Sequence, residues 1–155
     1  MAQMMERDGR VDQVPEFAER GERLGALTGA VWAEESSSLH LANAGILGVD
    51  VGERAESRMA RGLETSIRTG VGVRLGYLLN TAARPLVAAG KHELAALCLS
   101  VPMPGPFDSL PRLALDDVSA EVWEQAASDA TDLTPFDIAR LAADGLKAII
   151  ESDAK

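Results

Sequence analysis

The sequence predicts an all-α fold, a single compact multi-helix domain of about five to seven helices, on three observations. Aromatic residues make up only 4% of the chain, against 46% hydrophobic residues overall. The core must therefore come from Leu, Val, Ile and Ala, and the plentiful Ala, Leu, Arg and Glu lose little side-chain freedom in a helix. Apolar residues also recur at steps of three and four over long runs, the period of one helix face. Finally, Thr134-Pro135-Phe136-Asp137 puts a hydroxyl at an N-cap, a proline at N1 and a carboxylate at N3, which marks a helix start. A chain of 155 residues buries roughly 70% of its unfolded surface without disulfides or metals.

Residues 1–13 are polar and lack apolar periodicity, so they are expected to form a disordered lead-in to a helical domain over 14–155. Val14, Phe17, Gly21, Leu24, Thr28 and Val31 recur at helical spacing and predict one amphipathic helix, opened by Pro15 and running to about Glu35. Gly21, Gly25, Gly29 and Ala33 stand four apart on a neighbouring face. Each glycine costs about 1 kcal/mol against Ala, so this ridge predicts a closely packed backbone. Ser36 to Ser38 offer N-caps for a short helix from Leu39 to Ala44. Asp50 and Glu53 approximate a capping box, which predicts a helix from Val51 to about Thr69 with Ala55, Met59, Leu63 and Ile67 buried.

The most apolar stretch, Val71 to Val101, is expected at the centre of the domain. Val71, Leu75, Leu78, Ala82 and Leu86 fit a helix, although alternation over 71–79 leaves an α+β alternative with a short strand there. Pro85 should kink or restart that helix near Arg84, and Gly90 should break it before a second helix carrying Leu94, Leu97 and Cys98. The prolines at 102, 104, 106 and 111 predict a loop over 102–111 that crosses the main body. Ser119 caps a helix with Val122, Trp123 and Ala126. The last helix, Pro135 to about Ser152, carries one polar stripe of Asp137, Arg140, Asp144, Lys147 and Glu151. Its apolar surface covers more than one neighbour requires. One sector is therefore expected to face the core and the other a second chain, with Ile138, Leu141, Leu146, Ile149 and Ile150 as interface positions.

Charge is distributed unevenly. The net charge is −9; residues 51–93 carry seven Lys or Arg against four Asp or Glu, between two acidic flanks. Overall acidity argues against nucleic-acid binding, which depends on cations displacing counterions from phosphates. Within the basic middle, Arg54, Arg58, Arg61 and Arg68 recur at steps of four, three and seven. They form a candidate binding stripe for an acidic partner, weighed against a solvated face neutralised by nearby carboxylates.

No catalytic spacing is present. His40 and His92 lie in no metal-binding motif, the glycines at 70, 72 and 76 are spaced one residue too long for a dinucleotide fingerprint, and no nucleophile elbow or P-loop occurs. No metal and no cofactor are expected. Single Cys98 cannot form an internal disulfide, and no uncharged apolar run is long enough to span a membrane, so a cytoplasmic setting without membrane contact is expected. These readings favour a non-catalytic helical protein–protein interaction or assembly module, self-associating or built into a larger assembly. The alternatives are a small apolar ligand held under Met59, Tyr77 and Cys98, a histidine phosphotransfer-like domain around His40, or an enzyme without recognisable motif. Phosphotransfer histidines look for Lys three residues on and then Gly; Asn43 and Ala44 stand there instead.

Overall fold

Glycine in the left-handed region decides where most of the helices stop. Gly29, Gly48, Gly70 and Gly90 all have φ between +67° and +87°, a conformation that ends a helix at little steric cost only for glycine. At Gly90 the geometry is a full Schellman motif. The Gly90 amide donates to the Val87 carbonyl and the Lys91 amide to the Leu86 carbonyl, both at 2.8 Å. The computed structural model describes residues 9–72, 74–102 and 118–154. Among them it is all-α: α1 (Val14–Thr28), α2 (Val31–Ile46), α3 (Ala55–Thr69), α4 (Leu75–Ala88), α5 (His92–Ser100), α6 (Ala120–Asp129) and α7 (Pro135–Asp153), with 3₁₀ turns at Val11–Gln13 and Ala130–Asp132 and no strand.

α4 is the central helix. Nine of its fourteen residues are buried, and α2, α3, α5 and α7 all pack against it. The main core joins Leu39 of α2, Met59 and Leu63 of α3, Leu78, Leu79 and Leu86 of α4, Cys98 of α5, and Ile138 and Leu146 of α7. A smaller second core lies where α1 meets α2, around Val14, Ala18, Leu41, Ala44 and Val51. No helix among the described residues is long and apolar enough to cross a membrane.

Several boundaries differ from the sequence expectation. The helix expected over 14–35 is two, because Gly29 adopts φ +69° and serves as a stop rather than as part of a ridge. Ser36, Ser37 and Ser38 are interior to α2 instead of capping a short helix, because α2 already starts at Val31. Asp50 caps its own turn: its Oδ1 accepts from the Gly52 amide at 2.9 Å, and left-handed Gly52 delays α3 to Ala55. The strand alternative over 71–79 fails, since Leu75 to Leu79 open α4. Pro85 lies inside α4, which continues to Ala88. One lost amide bond is outweighed there by burial of Ala82, Ala83 and Leu86. The loop expected over 102–111 and the lead-in up to residue 8 fall outside the described residues, apart from Pro102. Val11, within the expected lead-in, packs on the second core.

α7 corrects the largest expectation. It is capped as foreseen: the Thr134 hydroxyl accepts from the Asp137 amide at 3.2 Å and the Asp137 carboxylate accepts from the Thr134 amide at 3.1 Å. It is also buried on two sides, but by this chain's own α3, α4 and α5. Ile138, Leu146 and Ile149 all belong to the main core, while Leu141 is 44% exposed and Ile150 half-buried. Gly145 makes the fit possible, since a Cβ there would stand 2.6 Å from Leu94 Cδ2 and 3.2 Å from Leu86 Cδ2. Replacing Leu146 with Ala is therefore expected to cost about 2–5 kcal/mol in urea denaturation, and Leu141→Ala no more than about 0.5 kcal/mol. Comparable losses at both positions would mean that α7 is not seated as described.

Candidate functional site

The arginine stripe of α3 does not stand free. Arg58 is only 8% exposed; its Nη1 lies 3.1 Å from Glu22 Oε2 on α1, its Nε lies 3.1 Å from Glu53 Oε2, and its Nη2 donates to the Val51 carbonyl at 3.1 Å. Arg61 reaches Glu53 at 2.9 Å, and Arg54 reaches Asp153, the last residue of α7, at 2.8 Å. This network ties α1, the α2–α3 connection and the C-terminus to α3. Arg68 alone of the four makes no ion pair among the described residues. It lines a cleft of about 720 Å³ beside α7, where Arg61, Arg68 and Arg140 face Glu34, Glu64 and Asp144. Three cations against three carboxylates leave it without a net field for an acidic partner.

Periodicity put Leu24 on a buried face and did not single out Leu27 or Trp32. All three are exposed, at 52%, 83% and 60%, at the end of the α1–α2 hairpin. The hairpin is antiparallel and tightly apposed. A Cβ on Gly21 would meet Ser37 Oγ at 2.7 Å, and one on Gly25 would meet Ala33 Cβ at 3.2 Å. The close approach expected of the glycine ridge thus occurs at two of its glycines, and the backbone that approaches is the chain's own next helix. α1 spends its small residues on this seam, so Leu24 and Leu27 fall outside it.

Glu35 was passed over in the sequence, although it stands one turn before buried Leu39 on the same face of α2. Its side chain is wholly buried. Ser66 Oγ donates to Glu35 Oε1 at 2.6 Å, and Oε2 has no partner. Burial raises its pKa above the ordinary 4.5, opposed by the Ser66 hydrogen bond and by the charge of Arg74. Cys98 is equally enclosed, and burial pushes its thiol up to about 12, which suits a core residue rather than a nucleophile. His40 is half-buried on α2. Among the described residues no three His, Cys, Asp or Glu side chains are grouped to hold a metal.

No protein-family model, curated protein or solved structure matches this chain.

Two measurements follow from this geometry. Arg58→Met, which keeps the aliphatic length but drops the charge, is expected to lower stability by about 1–3 kcal/mol, whereas Arg68→Met stays within about 0.5 kcal/mol; equal effects would return Arg58 to the surface. For Glu35 the folded pKa lies above the unfolded value, so the unfolded chain releases this proton first as pH rises. The stability it contributes is full below about pH 4.5 and is lost as pH climbs through the raised folded value. Denaturant titrations from about pH 4 to about pH 8 should therefore show Glu35→Gln gaining on the wild type with rising pH. A difference that does not vary with pH would contradict an uncompensated buried carboxyl.

Proposed function

We propose that this chain is a non-catalytic helical interaction module that self-associates through the end of its α1–α2 hairpin. One observation carries the reading: Leu24, Leu27 and Trp32, three large apolar side chains on adjoining helices, are each more than half exposed. Water-facing apolar side chains scattered singly need no explanation, but a cluster at one end of a hairpin is the signature of a contact surface. Trp is moreover the residue type that most often anchors such contacts. A second copy is the natural occupant. The cluster carries no charge to repel its own image, and the neighbouring charges on α1 are of mixed sign, with Arg23 and Glu19 paired across one turn.

Relocating the contact from α7 to the hairpin follows from burial. Of the five α7 positions, only Leu141 offers substantial apolar surface, and a single exposed leucine is ordinary. Met59, Tyr77 and Cys98, beneath which a ligand cavity was an alternative, are buried members of the main core. The lone thiol is consistent with a reducing, cytoplasmic setting for the module.

Sedimentation velocity over a range of concentrations tests the proposal. The wild-type protein should shift toward a dimer as concentration rises, and Leu27→Asp should remain monomeric with a melting temperature close to wild type, as exposed substitutions usually leave it. A wild-type protein that is monomeric at the highest concentration, or a Leu27→Asp variant that associates unchanged, would remove the basis for self-association.

A further inference from the structure

The glycine seam between α1 and α2 has a second consequence. Because Gly21 and Gly25 let the helices touch backbone to side chain, the larger residues on either side of the seam stand apart, and a cleft of about 420 Å³ opens along the hairpin. That is within the range of small-molecule sites. Its walls differ in character. Phe17 and Leu24 of α1 and Trp32 of α2 supply apolar surface, while Ser36 and His40, one turn apart on α2, and Arg74, just before α4, supply the polar side.

We infer that this cleft binds a small amphipathic anion, an apolar body ending in a carboxylate, with the carboxylate held by Arg74 and Ser36. Two observations point to a ligand rather than to empty surface. Ser36 Oγ is shielded from solvent and has no hydrogen-bond partner, although buried hydroxyls in folded proteins are nearly always satisfied. Arg74 is the one charged side chain among the described residues lining the cleft, and it makes no ion pair or hydrogen bond among them. Glu35 is the buried carboxyl that feels its charge, and the two make no ion pair among the described residues. A planar guanidinium matches a carboxylate in shape and charge, and Ser36, whose hydroxyl has a donor to give, lines the same cleft. The ring of Trp32 and the side chains of Phe17 and Leu24 then receive the apolar body.

This site shares Leu24 and Trp32 with the proposed self-association surface but not Leu27, the most exposed residue of that cluster, which does not line the cleft, and one chain supplies every group named. Calorimetric titration of the full chain with decanoate, below its micellar concentration, tests it against decanol and decyltrimethylammonium, which share the apolar body but not the charge. Saturable binding of decanoate at one site per chain is expected, at least about tenfold tighter than either comparator. Arg74→Gln should weaken decanoate by about tenfold and bring it level with decanol, and Arg74→Lys should recover most of the loss. Trp32→Ala should weaken decanoate and decanol alike. The inference is overturned if decanoate shows no saturable binding, if all three amphiphiles bind equally, or if Arg74→Gln binds decanoate as the wild type does. A wild-type protein that is monomeric yet binds decanoate would end the self-association reading and leave this one standing.

Discussion

Close approach between helices is the constraint on which the rest of this structure depends. A core with so few rings must reach interior packing density with Leu and Ala, and small aliphatic side chains fill space only when helix axes come near one another. The chain meets that requirement by omitting Cβ atoms at the crossings. Gly21 and Gly25 lie against α2, Gly62 receives Leu78 and Ser38 at 3.0 and 3.1 Å from a would-be Cβ, and Gly145 receives Leu94 and Leu86. Each glycine weakens its own helix by propensity, and each crossing it permits recovers that loss through burial of apolar surface on both partners. The same device sets the limits of the core. Where α1 is drawn onto α2, there is no room for its leucines in the seam, and they are left in water.

The polar interior follows from the same geometry. α2 lies between α1 and α3, so its serines occupy positions where a larger side chain would not fit: Ser37 faces Gly21 and Ser38 faces Gly62. Glu35 shares that helix and is carried inside with them. A buried carboxyl held by one hydroxyl is an expensive arrangement, because hydrogen bonding satisfies only one of its oxygens. The Arg58 cluster is the better balanced counterpart. There a guanidinium lies beside two carboxylates and donates to a backbone carbonyl, so the charge is enclosed next to opposite charge, although its Nε makes no hydrogen bond.

Much of the fold was legible in the sequence, and for identifiable reasons. The Thr134 to Asp137 cap, the central place of α4, the breaks at Gly70 and Gly90 and the burial of Cys98 are written in local chemistry, which tertiary packing reinforced. Reading failed where one residue type serves two purposes. Gly29 repeats the spacing of Gly21 and Gly25, yet it ends a helix while they face a neighbour, and only backbone conformation separates the two uses. Asp50 has the look of a helix cap, but Gly52 turns the chain before a helix can start. The arginines of α3 repeat as a surface stripe would, and nothing local reveals that Glu22, thirty-six residues before Arg58, closes over one of them. The candidate site was the least legible part. Its exposed cluster consists of apolar residues, which periodicity assigns to a core by default.

The attachment of α1 has a consequence for the order in which the molecule comes apart. This helix contributes to the second core only through Val14, Ala18 and their neighbours, packs chiefly on α2, and is tied to α3 by the ion pairs of Glu22 with Arg58 and Arg61. Its link to α2 is a turn built on Gly29, whose backbone moves with little steric resistance. Such a helix is expected to open as a cooperative unit of its own, at a free energy below that of global unfolding, while α4 and α7 keep their amides protected. Because charge is part of what holds it shut, salt loosens this opening more than it loosens the main core. On this account α1 is the flap and α2 belongs to the body it closes on, so the seam between them would be the first part of the interior that solvent reaches.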